Sequence, residues 1–375
     1  MIELRRAFHL YPELSFGETK TAKTISSKLN TIGVRNSRVA GTGVLGLIEG
    51  GKPGKTLLIR ADIDALPITE ETGLAFSSRE PGVMHACGHD GHIAIGLQLA
   101  DALYKRRNSI KGKVKFLFQP AEETANGAEK CIAGGVMKNP KVDGVLALHL
   151  WNSEPVGTIV AGSGPIFAGA TEFTITIRGR GGHGAMPHLS VDAIAVTGQV
   201  VTALQNLVSR QVSPVEPAVL TIGTIQGGNA FNVIAPEVVL KGTLRAHDDE
   251  KIRFLQERLS KITMGVAQAM GAEANVKQEY LCPPVVSNSE VAAIVREAAS
   301  EVIGKAKVKE PRPVMLGDDA SLLLRQAPGC YFLVGSANAA HGQDKPHHSP
   351  QFDFDESALE IGLNIMEKAA LKFLS

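Results

Sequence analysis

The hydrophobic period of this chain changes near residue 165. Before that point the apolar segments are short continuous runs: LLIRADI (57–63), KVKFLFQ (113–119) and DGVLALHL (143–150). Such runs suit strands buried on both faces. Helical stretches at about 18–32, 91–106 and 126–136 separate them. Strands alternating with helices predict an α/β domain, its mixed, mostly parallel sheet flanked by helices on both faces. In ATEFTITIRG (170–179) the pattern differs, because Phe173, Ile175 and Ile177 alternate with Glu172, Thr174, Thr176 and Arg178. That is the period of a strand with one face on a core and one in water. A helix at about 190–210 follows, with Val200, Leu204, Leu207 and Val208 on one stripe. Strands at 218–225 and 238–246, a helix at about 249–270 and a strand near 273–280 complete a compact α+β unit with helices on one sheet face. From about 283 the chain returns to helix, strand and helix, and the last helix puts Leu359, Leu363, Met366, Ala370 and Phe373 on one side. The middle unit therefore reads as an insertion. The outer domain is expected at 1–165 and 281–375, the inserted one at 166–280, with Pro283–Pro284 at one crossing.

A length of 375 residues agrees with two domains. Lys plus Arg number 39 and Asp plus Glu 38. That balance argues against a generic nucleic-acid binder, which needs a basic surface to neutralise phosphates. No apolar run approaches the ~18 residues of a membrane span, and MIELRRAFHLYPEL lacks the apolar stretch of a secretory signal. Cys87, Cys131, Cys282 and Cys330 show no paired spacing, so no disulfide framework is expected and a cytoplasmic location is the default.

HACGHDGH (85–92) carries the densest chemistry. His85, Cys87, His89, Asp90 and His92 fall within eight positions. A lone Cys or His reads as a buried thiol or a helix cap, but this density reads as a metal site, since thiolate and imidazole are zinc ligands. On extended chain Cys87 and His89 would point the same way, and a loop could also aim them at one ion. QPAEET (119–124) sets Glu122 beside Glu123 after a strand. Alone that is a solvated helix start; beside a metal site, one carboxylate can bind the ion and the other act as a general base. His149 ends an apolar strand in ALHLW, and His347–His348 form a doublet in a proline-flanked loop. Asp62 and Asp64 of RADIDALP either orient ligand histidines by hydrogen bonding or cap the turn before Pro67. In the middle unit, GRGGHGAMPH offers His183, GGNAFNVIAP offers Asn229 and Asn232, and GTLRA offers Arg245, whose planar fork suits a carboxylate. Each of these also reads as an ordinary turn or strand-end residue. Together the first-domain groups lie mostly at strand ends, where open α/β sheets place their sites.

The segments RRAFHLYPELSFGETKT, RADIDALPI, MHACGHDGH, FQPAEE, ALHLW, GRGGHGAMPH, NVIAP, GTLRA and HHSPQFDFDE run in order through nearly the whole chain. In them the sequence resembles the amidohydrolase branch of the aminoacylase/carboxypeptidase metallopeptidases, which includes hippurate hydrolase, N-acetyl-diaminopimelate deacetylase and auxin-amino-acid conjugate hydrolases. The resemblance implies a catalytic domain with two divalent metal ions and an inserted lid that mediates homodimerisation. It implies Cys87, His89, Glu123, His149 and His348 as metal ligands and Glu122 as general base. His183 matches a lid histidine that reaches the partner subunit's site and stabilises the oxyanion, and Asn232 and Arg245 match positions that bind the substrate carboxylate. His348 is preferred over His347 because it directly precedes Ser-Pro. LGDDAS (316–321) stands where the family often has Gly-Ser-Glu-Asp-Phe, which leaves Asp318 and Asp319 without an assigned role. Relatives often carry a few more residues ahead of the RR-x-x-H segment, which begins here at Arg5.

The expected reaction is hydrolysis of an N-acyl amino acid or short peptide, with zinc, manganese, cobalt or nickel as the ion. The rivals are a metallocarboxypeptidase, a carbamoyl-amino-acid hydrolase and a catalytically silent binding protein of the same fold.

Overall fold

The computed structural model describes residues 1–375, which divide into two compact units. The first comprises Met1–Ile166, Val286–Arg312 and Asp318–Ser375; the second comprises Phe167–Val285 with Pro313–Gly317.

An eight-stranded mixed sheet forms the middle of the first unit. Its spatial order is Arg35–Val39, Gly43–Glu49, Lys111–Gln119, Lys52–Asp62, Gly144–Pro155, Gly329–Ala337, Ile159–Val160 and Val308–Lys309. The central pairings from Lys111–Gln119 to Gly329–Ala337 are all parallel. The continuous apolar runs have a reason that alternation would not supply. Ile59, Phe116 and Leu146 pack on one face, with helices Thr19–Ile32, His89–Lys105, Ser289–Ile303 and Ser357–Leu374. Their neighbours Leu58, Leu117 and Val145 pack on the other, against the short helices Gly127–Ala133 and Ala320–Gln326. Successive side chains point to opposite faces, so both must be apolar, and each large one buried contributes roughly 1.5–3 kcal/mol. Lys115 is one of the strand residues that break the rule. It is 1% exposed, and its Nζ donates to the carbonyls of Val136, Lys138 and Pro140 at 2.7, 2.7 and 2.8 Å. Burial pulls its pKa down to about 8.

The second unit is built on four antiparallel strands in the order Ala218–Gly227, Glu237–Ala246, Gly169–Arg178 and Glu273–Cys282. Phe173, Ile175 and Ile177 share one buried cluster with Val200, Leu204 and Leu207 of helix Ala193–Gln211 and Leu255 and Leu259 of helix Asp249–Ala269. Both helices are started by side-chain caps. Asp192 accepts from the amides of Ile194 and Ala195, and Asp248 accepts from that of Lys251. No helix in the chain is long and apolar enough to cross a membrane.

Candidate metal centre

The carboxyl ends of the parallel strands gather most of the candidate residues. Asp62 closes Lys52–Asp62 and pairs in register with Gln119, which closes Lys111–Gln119 and leads into Ala121–Glu122–Glu123. His149 lies on the next strand, Gly144–Pro155. Cys87 and His89 are not on extended chain. Helix His89–Lys105 begins at His89, and Gly88 before it is left-handed at φ 82°. Glycine tolerates that conformation without the Cβ clash other residues suffer. The helix then lies close on the sheet, for a Cβ at Gly91 would fall 2.5 Å from Leu150 Cδ1.

Four overlapping groups of donor atoms result. Cys87, Glu123 and His348 form one, with His348 Nε2 3.4 Å from Glu123 Oε2. His89 and His149 fall with Asp62 and His92 in another, His89 also groups with Glu122 and Glu123, and Glu122 groups with Asp318 and Asp319. Cys87 Sγ is 3.6 Å from His149 Nε2. Donors sharing one zinc ion at ~2.0–2.3 Å must lie within about 4.5 Å of each other, and these separations comply.

Hydrogen bonding divides the histidines further. His89 Nδ1 bonds the Asp64 carbonyl at 2.9 Å and His149 Nδ1 bonds the Leu150 carbonyl at 2.6 Å. Each bond fixes the proton on Nδ1 and leaves the Nε2 lone pair for a cation. His92 differs. Its Nδ1 bonds Asp62 Oδ1 at 2.5 Å and its Nε2 accepts from the Leu150 amide at 2.9 Å, so neither nitrogen is spare. His347 is half-buried against Trp151, with ring centroids 5.0 Å apart, and its Nε2 accepts from the Asn152 amide at 3.2 Å. Trp151 also meets His149 edge-on at 5.9 Å. His348 holds a left-handed backbone at φ 64°, unusual for a non-glycine residue, and its amide donates to the Ala86 carbonyl at 2.8 Å. That bond ties its loop to the segment carrying Cys87.

The electrostatics fit a cation. His89 Nε2 and Glu123 Oε1 are buried without a hydrogen-bond partner. Burial pulls the His89 pKa down, but Asp62, Asp64 and Glu123 outweigh it and hold the value near 10. A proton thus occupies a position where a metal would bind. His149 is driven well below the usual histidine range by burial and by His92 and His347, which keeps it neutral. Burial pushes the Cys87 thiol well up, and Glu123 and Glu122 push it further. A cation would reverse that effect, because it favours thiolate. Burial likewise raises Glu122 well above the carboxylate range, with Asp318 and Glu123 adding to the shift.

Asp62 is held well below the carboxylate range. Burial opposes this, but Arg60, His89 and His92 prevail. Asp64 accepts from Ser15 Oγ at 2.7 Å and from the Glu123 amide at 3.0 Å through one oxygen. Sequence reasoning missed the frame behind Glu122. Arg60, buried in its strand, bonds Asp62, Gln119 Oε1 (3.0 Å) and Asp318 Oδ1 (2.9 Å). Tyr331 donates to Asp318 at 2.7 Å, and Asp319 accepts from Gln119 at 2.6 Å and from the Ala128 amide at 2.8 Å. The signal was an arginine inside an apolar strand.

His183, Asn232 and Arg245 lie in the second unit. His183 ends Gly182–His183, which pairs with Val233–Ile234, and the Gly184 amide donates to the Asn232 carbonyl at 2.8 Å. These two are thus neighbours. Arg245, on Glu237–Ala246, donates to the Met315 carbonyl at 3.1 Å.

The sequence model of peptidase family M20/M25/M40 matches residues 58–372. N-acetyl-L-cysteine deacetylase of Bacillus subtilis is 39% identical over 375 residues, spanning 100% of this chain and 88% of its own. Thermostable carboxypeptidase 1 of Saccharolobus solfataricus is 38% identical over 378 residues, spanning 100% of this chain and 95% of its own. The crystal structure of the Bacillus subtilis YXEP protein, described as a dinuclear metal binding peptidase from the M20 family, is similar with a TM-score of 0.85 and 34% identity, covering 100% of this chain and 97% of that one. With 315 contiguous residues inside the family match and full-length relatives on both counts, this chain belongs to peptidase family M20/M25/M40.

Proposed function

We propose that this hydrolase cleaves the amide bond of N-acyl amino acids, with Glu122 as general base at a site for two divalent cations. The carrying observation is the pair of unpartnered buried atoms, His89 Nε2 and Glu123 Oε1, beside a carboxyl of raised proton affinity. Cys87, His89, Glu123, His149 and His348 would hold the cations. Thiolate and imidazole suit zinc, while the carboxylate admits manganese, cobalt or nickel. Bound cations supply Lewis-acid polarisation and acidify water. Glu122 accepts the proton of the attacking water and delivers it to the leaving amine. Asp62 and Asp64 hold the histidine rings in place. His183 stabilises the oxyanion, and Asn232 and Arg245 bind the carboxylate of the amino acid.

Self-association through the second unit belongs to the same reading. Its strand Ala218–Gly227 is a sheet edge, and Met186, Leu189, Ile225, Phe231 and Val233 are exposed, Phe231 completely. Such a patch favours a second copy.

The test is Glu122→Gln. Turnover should fall at least about 100-fold while bound metal per chain is unchanged; retention of more than a few per cent of kcat would refute the base. A panel of hippurate, acetyl-amino acids and dipeptides decides substrate class. The carboxypeptidase relative favours a second reading, action on free C-terminal residues of short peptides. In that case the dipeptides have the higher kcat/KM.

A further inference from the structure

The geometry points to a function for the N-terminal segment 5–18: it is a collar of positioning residues that holds three parts of the metal centre from behind. Arg5, Ser15 and Glu18 reach inward from this segment, as does His9, which shares Asp90 with Arg5, and each ends on a residue adjoining a proposed ligand or base.

Arg5 is fully buried, with its guanidinium between the rings of Phe76 and Phe354 at 4.8 and 4.3 Å. Its Nε donates to Asp90 Oδ2 at 2.8 Å, and its other nitrogens donate to Asp353 at 2.9 Å and Glu356 at 3.1 Å. Asp90 follows His89 directly, and Asp353 lies five residues after His348. One cation thus ties the helix start carrying His89 to the loop carrying His348. Ser15 donates to Asp64 Oδ2. That oxygen also receives the Glu123 amide, and the Asp64 carbonyl receives His89 Nδ1. Glu18, also fully buried, accepts the Ala121 amide at 2.9 Å. Ala121 is left-handed at φ 54° and immediately precedes Glu122.

Burying two charged side chains is costly unless every partner is in place. Here the partners are the anchor points of the site, and the backing groups of metal ligands set ligand geometry and affinity.

The proposal rests on the metal-centre reading above. Its test compares Ser15→Ala, Arg5→Lys and the pair Glu18→Ala and Glu18→Gln with wild type. Each is measured for zinc affinity by competition with a chromophoric chelator, for kcat and KM, and for the Tm of metal-free protein. Ser15→Ala and Arg5→Lys should weaken zinc binding roughly 10- to 100-fold. Ser15→Ala should keep its metal-free Tm and its KM. Glu18→Ala should lower kcat, and Glu18→Gln, which still accepts the Ala121 amide, should restore it. The collar is overturned if Ser15→Ala and Arg5→Lys keep wild-type affinity and kcat, or if affinity falls only in step with metal-free Tm. A wild-type chain that binds no divalent ion overturns the metal centre as well. Normal zinc binding with a dead Glu122→Gln and unaltered collar variants overturns the collar alone.

Discussion

His89 Nε2 and Glu123 Oε1 face each other across 3.9 Å, both buried and neither hydrogen-bonded. Metal-free chain carries a proton on His89, held by Asp62, Asp64 and Glu123 with a pKa of about 10, and a proton on Cys87. Both must leave when a cation binds. Zinc affinity should therefore rise from pH 6 to pH 8. Calorimetric titration in buffers of different ionisation enthalpy should show net proton release. Proton-neutral binding would mean that these two residues are not ligands.

The histidine doublet should separate cleanly. His348 groups with Cys87 and Glu123, whereas His347 packs on Trp151 and accepts from a backbone amide. His348→Ala should lose bound metal, measured by elemental analysis after dialysis. His347→Ala should keep its metal and lose some thermal stability. The reverse outcome would reassign the ligand.

The His9 imidazole bonds Asp90 Oδ2 at 2.8 Å and meets Glu70 at 3.3 Å, with Arg5 and His85 the other titratable groups facing it. Burial lowers its pKa, but Asp90 and Glu70 raise it to about 9, above the unfolded value of about 6.5. A raised histidine pKa gives stability that is complete below pH 6.5 and lost as pH rises through 9. His9→Gln should thus have a lower Tm than wild type at pH 6, and the two should converge near pH 9. A gap independent of pH would show that His9 acts by packing alone.

Lys115 places one ammonium on three carbonyls in the interior. Lys115→Met removes the donor of all three bonds, leaving buried acceptors unsatisfied at a cost of about 3 kcal/mol or more. Urea denaturation should show a lower midpoint with an unchanged slope.

Much of this molecule was legible before folding. The runs at 57–63, 113–119 and 143–150 became the parallel centre of the sheet, and the alternation at 170–179 became the strand Gly169–Arg178. Both are strong signals, because a buried strand must be apolar on two faces and a half-buried one on one. The strands Arg35–Val39 and Gly43–Glu49 were missed. RNSRV carries too few apolar residues to show a period, and its pairing with the neighbouring strand decides its form. Pro313–Gly317 groups with the second unit although it lies far outside 166–280, and no local pattern marks a short return of that kind. The ligand candidates were visible as residue types. Which nitrogen of His89, His92 or His149 is spare was not, since that depends on carbonyls and amides brought from other strands.

Trp151 is the single tryptophan of the chain. It stacks on His347 and meets His149 edge-on, so the indole touches the neighbourhood of the metal centre and no second indole competes with its emission. A nearby cation changes the ring's surroundings. The protein therefore carries its own optical gauge, and loading or stripping of the site can be followed in unlabelled chain, in real time, by fluorescence.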